Sequence, residues 1–137
     1  MLRQTLAACG CFIGRYDKTI RKMVDSGALG NILSIDVRGS GAGFIDTEAS
    51  MHWREDRDLS GNNIMAMGIF YEALMRWVGG ATSVVAMGRV NVQERDGKAI
   101  SIPDHIDILA NMECGAQARL QFSTVTGLAE SSKGFWL

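Results

Sequence analysis

A chain of 137 residues is about one domain in length, enough to bury a real hydrophobic core. Its 14 basic and 15 acidic residues give a net charge of −1 and are spread along the sequence, which excludes the basic stripe of a nucleic-acid binder and the acidic tail of a solvating segment. No apolar run approaches the ~20 residues of a membrane span, and residues 1–9 are too short and polar for a secretory signal, so no membrane partner is expected and the cytoplasm is the expected compartment.

In chain order, residues 2–8 have helix propensity and residues 9–14 suit a short strand. Cys9 and Cys11 sit in that apolar alternating stretch; with Cys114 they make three cysteines, which cannot all pair within one chain, and reduced, buried thiols are expected. The two histidines, His52 and His105, lie far from them in sequence, and no metal site is expected. Residues 17–26 read as a helix with Ile20, Met23 and Val24 inward and Lys18, Arg21, Lys22 and Asp25 outward, ended by Gly27 as C-cap. Residues 31–38 read as a strand with Leu33, Ile35 and Val37 on one face.

Residues 39–59 read as a loop, long for a compact domain, and structureless loops of that length are usually functional or mobile. It opens on Gly39-Ser40-Gly41-Ala42-Gly43, which superficially resembles a phosphate-cradling turn. Such a turn needs backbone amides at a helix N-terminus facing the anion. Here Phe44-Ile45-Asp46-Thr47-Glu48 follows, with no amphipathic pattern and two acids that would repel phosphate, so a strand exit is expected. The polar cluster Met51-His52-Trp53-Arg54-Glu55-Asp56-Arg57-Asp58 is the richer candidate. Histidine titrates near neutral pH and is the usual general acid or base, arginine is a planar anion clamp, and a tryptophan face suits a sugar ring or a nicotinamide. The competing expectation is a surface loop whose alternating charges pair with one another.

Residues 63–78 read as a helix, capped at its start by Ser60 or Asn62 and ended by Gly79 and Gly80. Ile64, Met67, Tyr71, Leu74, Met75 and Val78 follow helical spacing, and Ala66, Phe70, Ala73 and Trp77 do so on another face, which predicts a helix buried on most sides. Its only charges, Glu72 and Arg76, form a favourable pair four residues apart. Strands follow at residues 83–92 and 105–113. Cys114-Gly115 turns the chain into a strand at 117–125, supported by the alternation of Ala118, Leu120 and Phe122. His105 shares a side with Leu109 and Asn111 and is expected on a sheet face or interface.

The run from Asp25-Ser26-Gly27-Ala28-Leu29-Gly30-Asn31-Ile32 through Trp53 to Gly61, Gly68 and Trp77-Val78-Gly79 resembles the glucose–fructose oxidoreductase / inositol dehydrogenase / MocA (Gfo/Idh/MocA) family, with order and spacing kept across residues 14–126. The resemblance implies an α+β fold, a mostly antiparallel open sheet with helices on one face, that carries the substrate site and the oligomer interface beside an N-terminal Rossmann domain for NAD(P). Residues 1–14 would then be the end of the Rossmann domain and residues 15–137 the C-terminal domain, truncated at its end. Arg15 would lie in the family's arginine-rich crossover near the cofactor, and Trp53 in its substrate loop.

The family helix carries the pattern Asp-x-Gly-x-His-x-x-Asp. Gly68 matches its glycine, while the two acids and the histidine fall on Ala66, Ala73 and Phe70. The family's Glu-Lys-Pro segment, with its catalytic lysine, is absent. At ~100° per residue Glu72 points nearly opposite to position 70 and does not replace the lost groups, whereas Tyr71 lies at the edge of that face. The resemblance thus implies the substrate side of an oxidoreductase acting on a hydroxyl of a sugar, polyol or related small molecule. His52 is the catalytic candidate, Trp53, Arg54 and Tyr71 contact substrate, and Arg15 contacts the cofactor. NAD or NADP is expected in the complete protein and neither on this chain alone. A homo-oligomer is expected through the open sheet face, with Leu109, Arg119, Gln121 and Ser123 at alternating positions. The alternative is a non-catalytic oligomerisation or ligand-binding module that kept the sheet and lost the chemistry.

Overall fold

In the computed structural model, which describes residues 7–8, 13–62, 64, 67–126 and 133–137, a six-stranded sheet carries two helices on one face. The elements are β1 (Ala7–Ala8), α1 (Ile13–Asp25), β2 (Ser34–Ser40), α2 (Arg57–Ser60), α3 (Met67–Val78), β3 (Ala81–Arg89), β4 (Glu94–Arg95), β5 (Lys98–Ala99), β6 (His105–Met112), β7 (Gln117–Ser123) and β8 (Lys133–Trp136). The sheet order is β1-β8-β2-β7-β6-β3, with only the β2–β7 pair parallel, and β4–β5 form a separate hairpin. An α+β domain with a mostly antiparallel open sheet is therefore what the chain forms. No helix among the described residues is long and apolar enough to cross a membrane.

Alternation decides which side of the sheet is buried, because successive strand residues face opposite ways. Ile35 and Val37 of β2, Ala118, Leu120 and Phe122 of β7, and Ile106, Ala110 and Met112 of β6 meet Ile20 of α1 and Phe70, Ala73, Leu74 and Trp77 of α3 in one core. Phe70 packs edge-on against Phe122, ring centroids 5.7 Å apart. The helices are tied by Asp17, which accepts from Trp77 Nε1 at 2.7 Å and Arg76 Nε at 3.3 Å.

Several boundaries differ from expectation. Ala7–Ala8 is a strand and not part of a helix, because pairing with β8 overrides local propensity. Ile13 and Gly14 open α1 and do not end a strand; Cys9 and Cys11 lie outside the described residues. Gly27 caps α1 as expected: at φ 71° it lets Ala28 N reach back to Met23 O at 3.2 Å. The chain then makes a further turn at Gly30, so β2 starts late. Leu33 falls outside it, 80% exposed, while Ile35 and Val37 are buried as expected. Gly39 continues the strand where the Phe122 ring takes the space of a side chain: a Cβ there would lie 2.7 Å from Phe122 Cδ1.

The helix α3 is not buried on most sides. Gly68, Ile69, Glu72, Met75 and Arg76 are exposed, and one face alone enters the core. Ser60 does not cap α3; its hydroxyl donates to Arg54 O and Asp56 O and closes α2, a short helix inside the expected loop with Asp56 as N-cap. Gly79 ends α3 at φ 84° as expected.

Candidate functional site

The loop from Gly41 to Asp56 is held from outside, by the β4–β5 hairpin. Asp96 (φ 50°) and Gly97 (φ 71°) make its two-residue turn, in the left-handed conformation that matches strand twist. Arg95 just before this turn is buried and spends its guanidinium on the loop. Nε donates to Glu55 Oε1 at 2.8 Å, one terminal nitrogen donates to Phe44 O at 2.7 Å, and the other to Ala49 O at 2.9 Å and to Asp46 O. Glu55 is also buried, and its second oxygen accepts from His52 N at 2.9 Å while its own amide donates to His52 O at 2.8 Å. Asp96 Oδ2 accepts from Met51 N at 2.8 Å.

These bonds hold the segment that carries three of the expected site residues, His52, Trp53 and Arg54. The His52 ring centroid lies 5.4 Å from that of Phe44 and 5.7 Å from that of Trp53. The Arg54 guanidinium stacks over Trp53 with Cζ 4.3 Å from the ring centroid, a cation–π contact. The Arg54 amide donates to His52 Nδ1 at 3.2 Å. A neutral imidazole that accepts at Nδ1 carries its proton on Nε2. Nε2 has no hydrogen-bond partner among the described residues, and no buried side-chain nitrogen or oxygen there lacks one, so Nε2 meets solvent. The cluster therefore offers an N–H donor, a half-exposed tryptophan and a cation, a set suited to an oxygen-rich, uncharged or anionic small molecule.

Tyr71 is not part of this cluster. Its phenol oxygen accepts from Ala81 N at 3.0 Å and ties the end of α3 to the start of β3. Phe44, Arg54 and Glu55 instead share a pocket with Ile102, Pro103 and Asp104, beside the far end of β3, where Asp104 N donates to Arg89 O. The length of β3, roughly 25 Å at ~3.3 Å per residue, separates the two. Arg15 is placed in the first turn of α1, and its side chain lies outside the described residues. On α3 the face matching the acid–base pattern holds Phe70 and Ala73, both in the core; Ala66 lies outside the described residues. Glu72 is exposed and bound to Arg76 at 2.7 Å.

Gly39–Gly43 is no phosphate cradle. Gly39 and Ser40 belong to β2, Gly41 N donates to Ser123 O, Phe44 N donates to Thr124 O, and the next helix begins only at Arg57. The described residues of this stretch thus present no Gly-rich turn onto a helix N-terminus.

The open face of the sheet carries its own network. Asp36 accepts from Arg38 at 3.1 Å and Arg119 at 2.5 Å, and Asp107 accepts from His105 and Gln121 at 2.9 Å each. Burial pushes both carboxyls up, but these hydrogen bonds and the neighbouring positive charges outweigh it and hold both below the usual carboxylate value. Leu109, Arg119 and Gln121 lie on this face as expected. Ser123 does not present itself there: it is buried, and its hydroxyl accepts from Val125 N.

Phe44, Glu55 and Arg95 were not anticipated as site residues. The Asp96-Gly97 dipeptide is a hairpin signal that would have found β4–β5. Nothing in the sequence pairs Glu55 with a partner 40 residues away.

A family model described as the GFO/IDH/MocA C-terminal domain matches residues 18–134. No curated protein sequence matches the chain. Among solved structures it is similar to a levoglucosan dehydrogenase in complex with NADH and levoglucosan, at 18% identity and a TM-score of 0.79 over 90% of this chain and 35% of that one. It is similar to an NAD-binding oxidoreductase from Klebsiella pneumoniae, at 15% identity and a TM-score of 0.77 over 94% of this chain and 36% of that one. An inositol dehydrogenase homolog complexed with NAD+ from Azotobacter vinelandii matches at 16% identity and a TM-score of 0.73, over 92% of this chain and 34% of that one. The chain thus spans about a third of the length of these structures.

Proposed function

Because the chain belongs to the Gfo/Idh/MocA family through its C-terminal domain, we propose that it is the substrate side of an NAD(P)-dependent oxidoreductase acting on a hydroxyl of a sugar, polyol or related small molecule. The supporting observation is the cluster of His52, Trp53 and Arg54, with His52 Nε2 unpartnered among the described residues. In this proposal Nε2–H donates to a substrate oxygen, the Trp53 face packs against the C–H side of a ring, and Arg54 holds a second oxygen. Residues 15–137 are the substrate and oligomerisation domain, and residues 1–14 end a nucleotide-binding domain.

The cofactor accepts the hydride in such a reaction, and its binding belongs to the rest of the parent protein. Arg15 is the one residue here proposed to approach it. Isothermal titration of the purified chain with NAD(H) and NADP(H) should accordingly give no saturable heat at millimolar ligand. Micromolar binding of either would overturn the division of labour.

A second proposal is a non-catalytic ligand-binding or oligomerisation module, favoured by the conversion of the α3 acid–base face into core at Phe70 and Ala73. Nicotinamide turnover by the complete parent protein with a panel of sugars and polyols separates the two.

The chain is also proposed to associate with a second copy through its open sheet face, where Val85 (74% exposed), Met87 (76%) and Leu109 (60%) stand beside the Asp36 and Asp107 networks. A sheet with helices on one face leaves the other available to a partner. Light scattering at tens of micromolar should give a dimer or larger, and a folded monomer would refute the interface.

A further inference from the structure

We propose that Arg95 is the positioning residue of the candidate site, setting the distance between Phe44 and His52 from the β4–β5 hairpin. The inference rests on His52 and Trp53 facing substrate, as proposed above. The observation behind it is convergence. One buried guanidinium holds the carbonyls of Phe44, Asp46 and Ala49 and the carboxylate of Glu55, and that carboxylate holds the backbone amide of His52. Phe44 and His52 are thus both one or two hydrogen bonds from Arg95, and their ring centroids lie 5.4 Å apart. Asp96 adds a third anchor at Met51 N, directly before His52. The residues between these anchors form no ladder of their own with the sheet, and α2 begins only after them.

Stability alone does not account for such an arrangement. A buried ion pair is a weak source of stability compared with apolar side chains of similar volume, because desolvation offsets most of the attraction. Its distinctive property is direction. The guanidinium is planar, and its five donors point along fixed lines, so it imposes one relative placement on the groups it binds. A lysine in its place keeps the charge for Glu55 but cannot reproduce the three carbonyl bonds in their directions. Sites that discriminate need their contacting groups held within about half an ångström, and loops reach that only with a supporting shell of this kind.

The chain has two histidines, which makes the test direct. His52 is flanked by two aromatic rings, so the ring-current shift of its carbon-bound imidazole protons reports its position against Phe44 and Trp53. His105, on β6 and bound to Asp107, reports whether the sheet is intact. In the full 137-residue chain, with signals assigned by His105→Gln, two variants are compared with wild type by proton NMR. Arg95→Lys should move the His52 signals most of the way to their random-coil positions and leave those of His105 in place. The double variant Glu55→Met with Arg95→Met removes both buried charges while filling the space. It should remain folded, less stable than wild type by the cost of the loop carbonyls and the His52 amide left without partners, and lose the His52 shift. A purely structural Arg95 would be replaced by this pair without consequence for His52. Wild-type His52 shifts in the folded double variant would therefore overturn the proposal, whatever Arg95→Lys does. Failure of the functional proposal is distinguishable: it would appear as wild-type turnover by His52→Ala in the parent protein, with these spectra unchanged.

Discussion

Glu55→Ala is expected to lower the stability of the domain by about 3–5 kcal/mol, the usual result of removing one partner from a buried ion pair. The Arg95 side chain is 1% exposed and Glu55 sits at 2.8 Å from it, so the variant leaves a buried guanidinium with no counter-charge. It also strips the His52 amide of its acceptor. Against a total of about 5–15 kcal/mol for an ordinary domain, a loss of this size should move the urea midpoint far and with little change in slope. Glu72→Ala is the matching control. That carboxylate also meets an arginine, at 2.7 Å, but both side chains are exposed, and its removal should cost no more than ~0.5 kcal/mol. A midpoint for Glu55→Ala within error of Glu72→Ala would show that the hairpin does not hold the loop.

The parts of the fold that could be read from the sequence are those where one local pattern meets no rival. Ala118, Leu120 and Phe122 alternate and are buried; Gly79 and Gly27 end their helices at positive φ; His105–Met112 and Gln117–Ser123 turn at Gly115. Periodicity misled where it had no way to weigh depth. Leu33 shares the alternation of Ile35 and Val37 but precedes the first residue that pairs with β7. Met75 follows the apolar spacing of α3 yet lies on its solvent side, because one face alone meets the sheet. Ala7–Ala8 depends on β8, a strand more than a hundred residues later, and no local propensity reports that.

The candidate site was legible as a list of side chains and not as an arrangement. His52, Trp53 and Arg54 stand together because they are consecutive, so their proximity needed no fold. Tyr71 was assigned by its place on a helical wheel, and the structure adds that its phenol oxygen accepts from Ala81 N at the start of β3. Arg95 carries no motif at all; its role appears only once the chain brings a hairpin beside a loop 40 positions earlier.

The His52 assignment carries the larger functional prediction. A donor that contacts the reacting oxygen contributes about 10²-fold through binding and orientation in the transition state, so His52→Ala in the complete parent protein should lower kcat/KM by ~100-fold, about 2.7 kcal/mol. In the proposed site the Arg54 amide donates to Nδ1, so a neutral His52 ring carries its proton on Nε2 and serves as a donor. Tyr71→Phe should leave kcat/KM near wild type and cost at most about 1 kcal/mol of stability, since the lost group is a single hydrogen-bond acceptor for a backbone amide.

The most direct measurement is therefore kcat/KM of the complete parent protein for the best substrate of a sugar and polyol panel, compared across wild type, His52→Ala and Glu72→Gln at unchanged thermal stability. A loss of ~100-fold for His52→Ala with Glu72→Gln near wild type is the predicted result. A ~100-fold loss for Glu72→Gln while His52→Ala stays near wild type would contradict it.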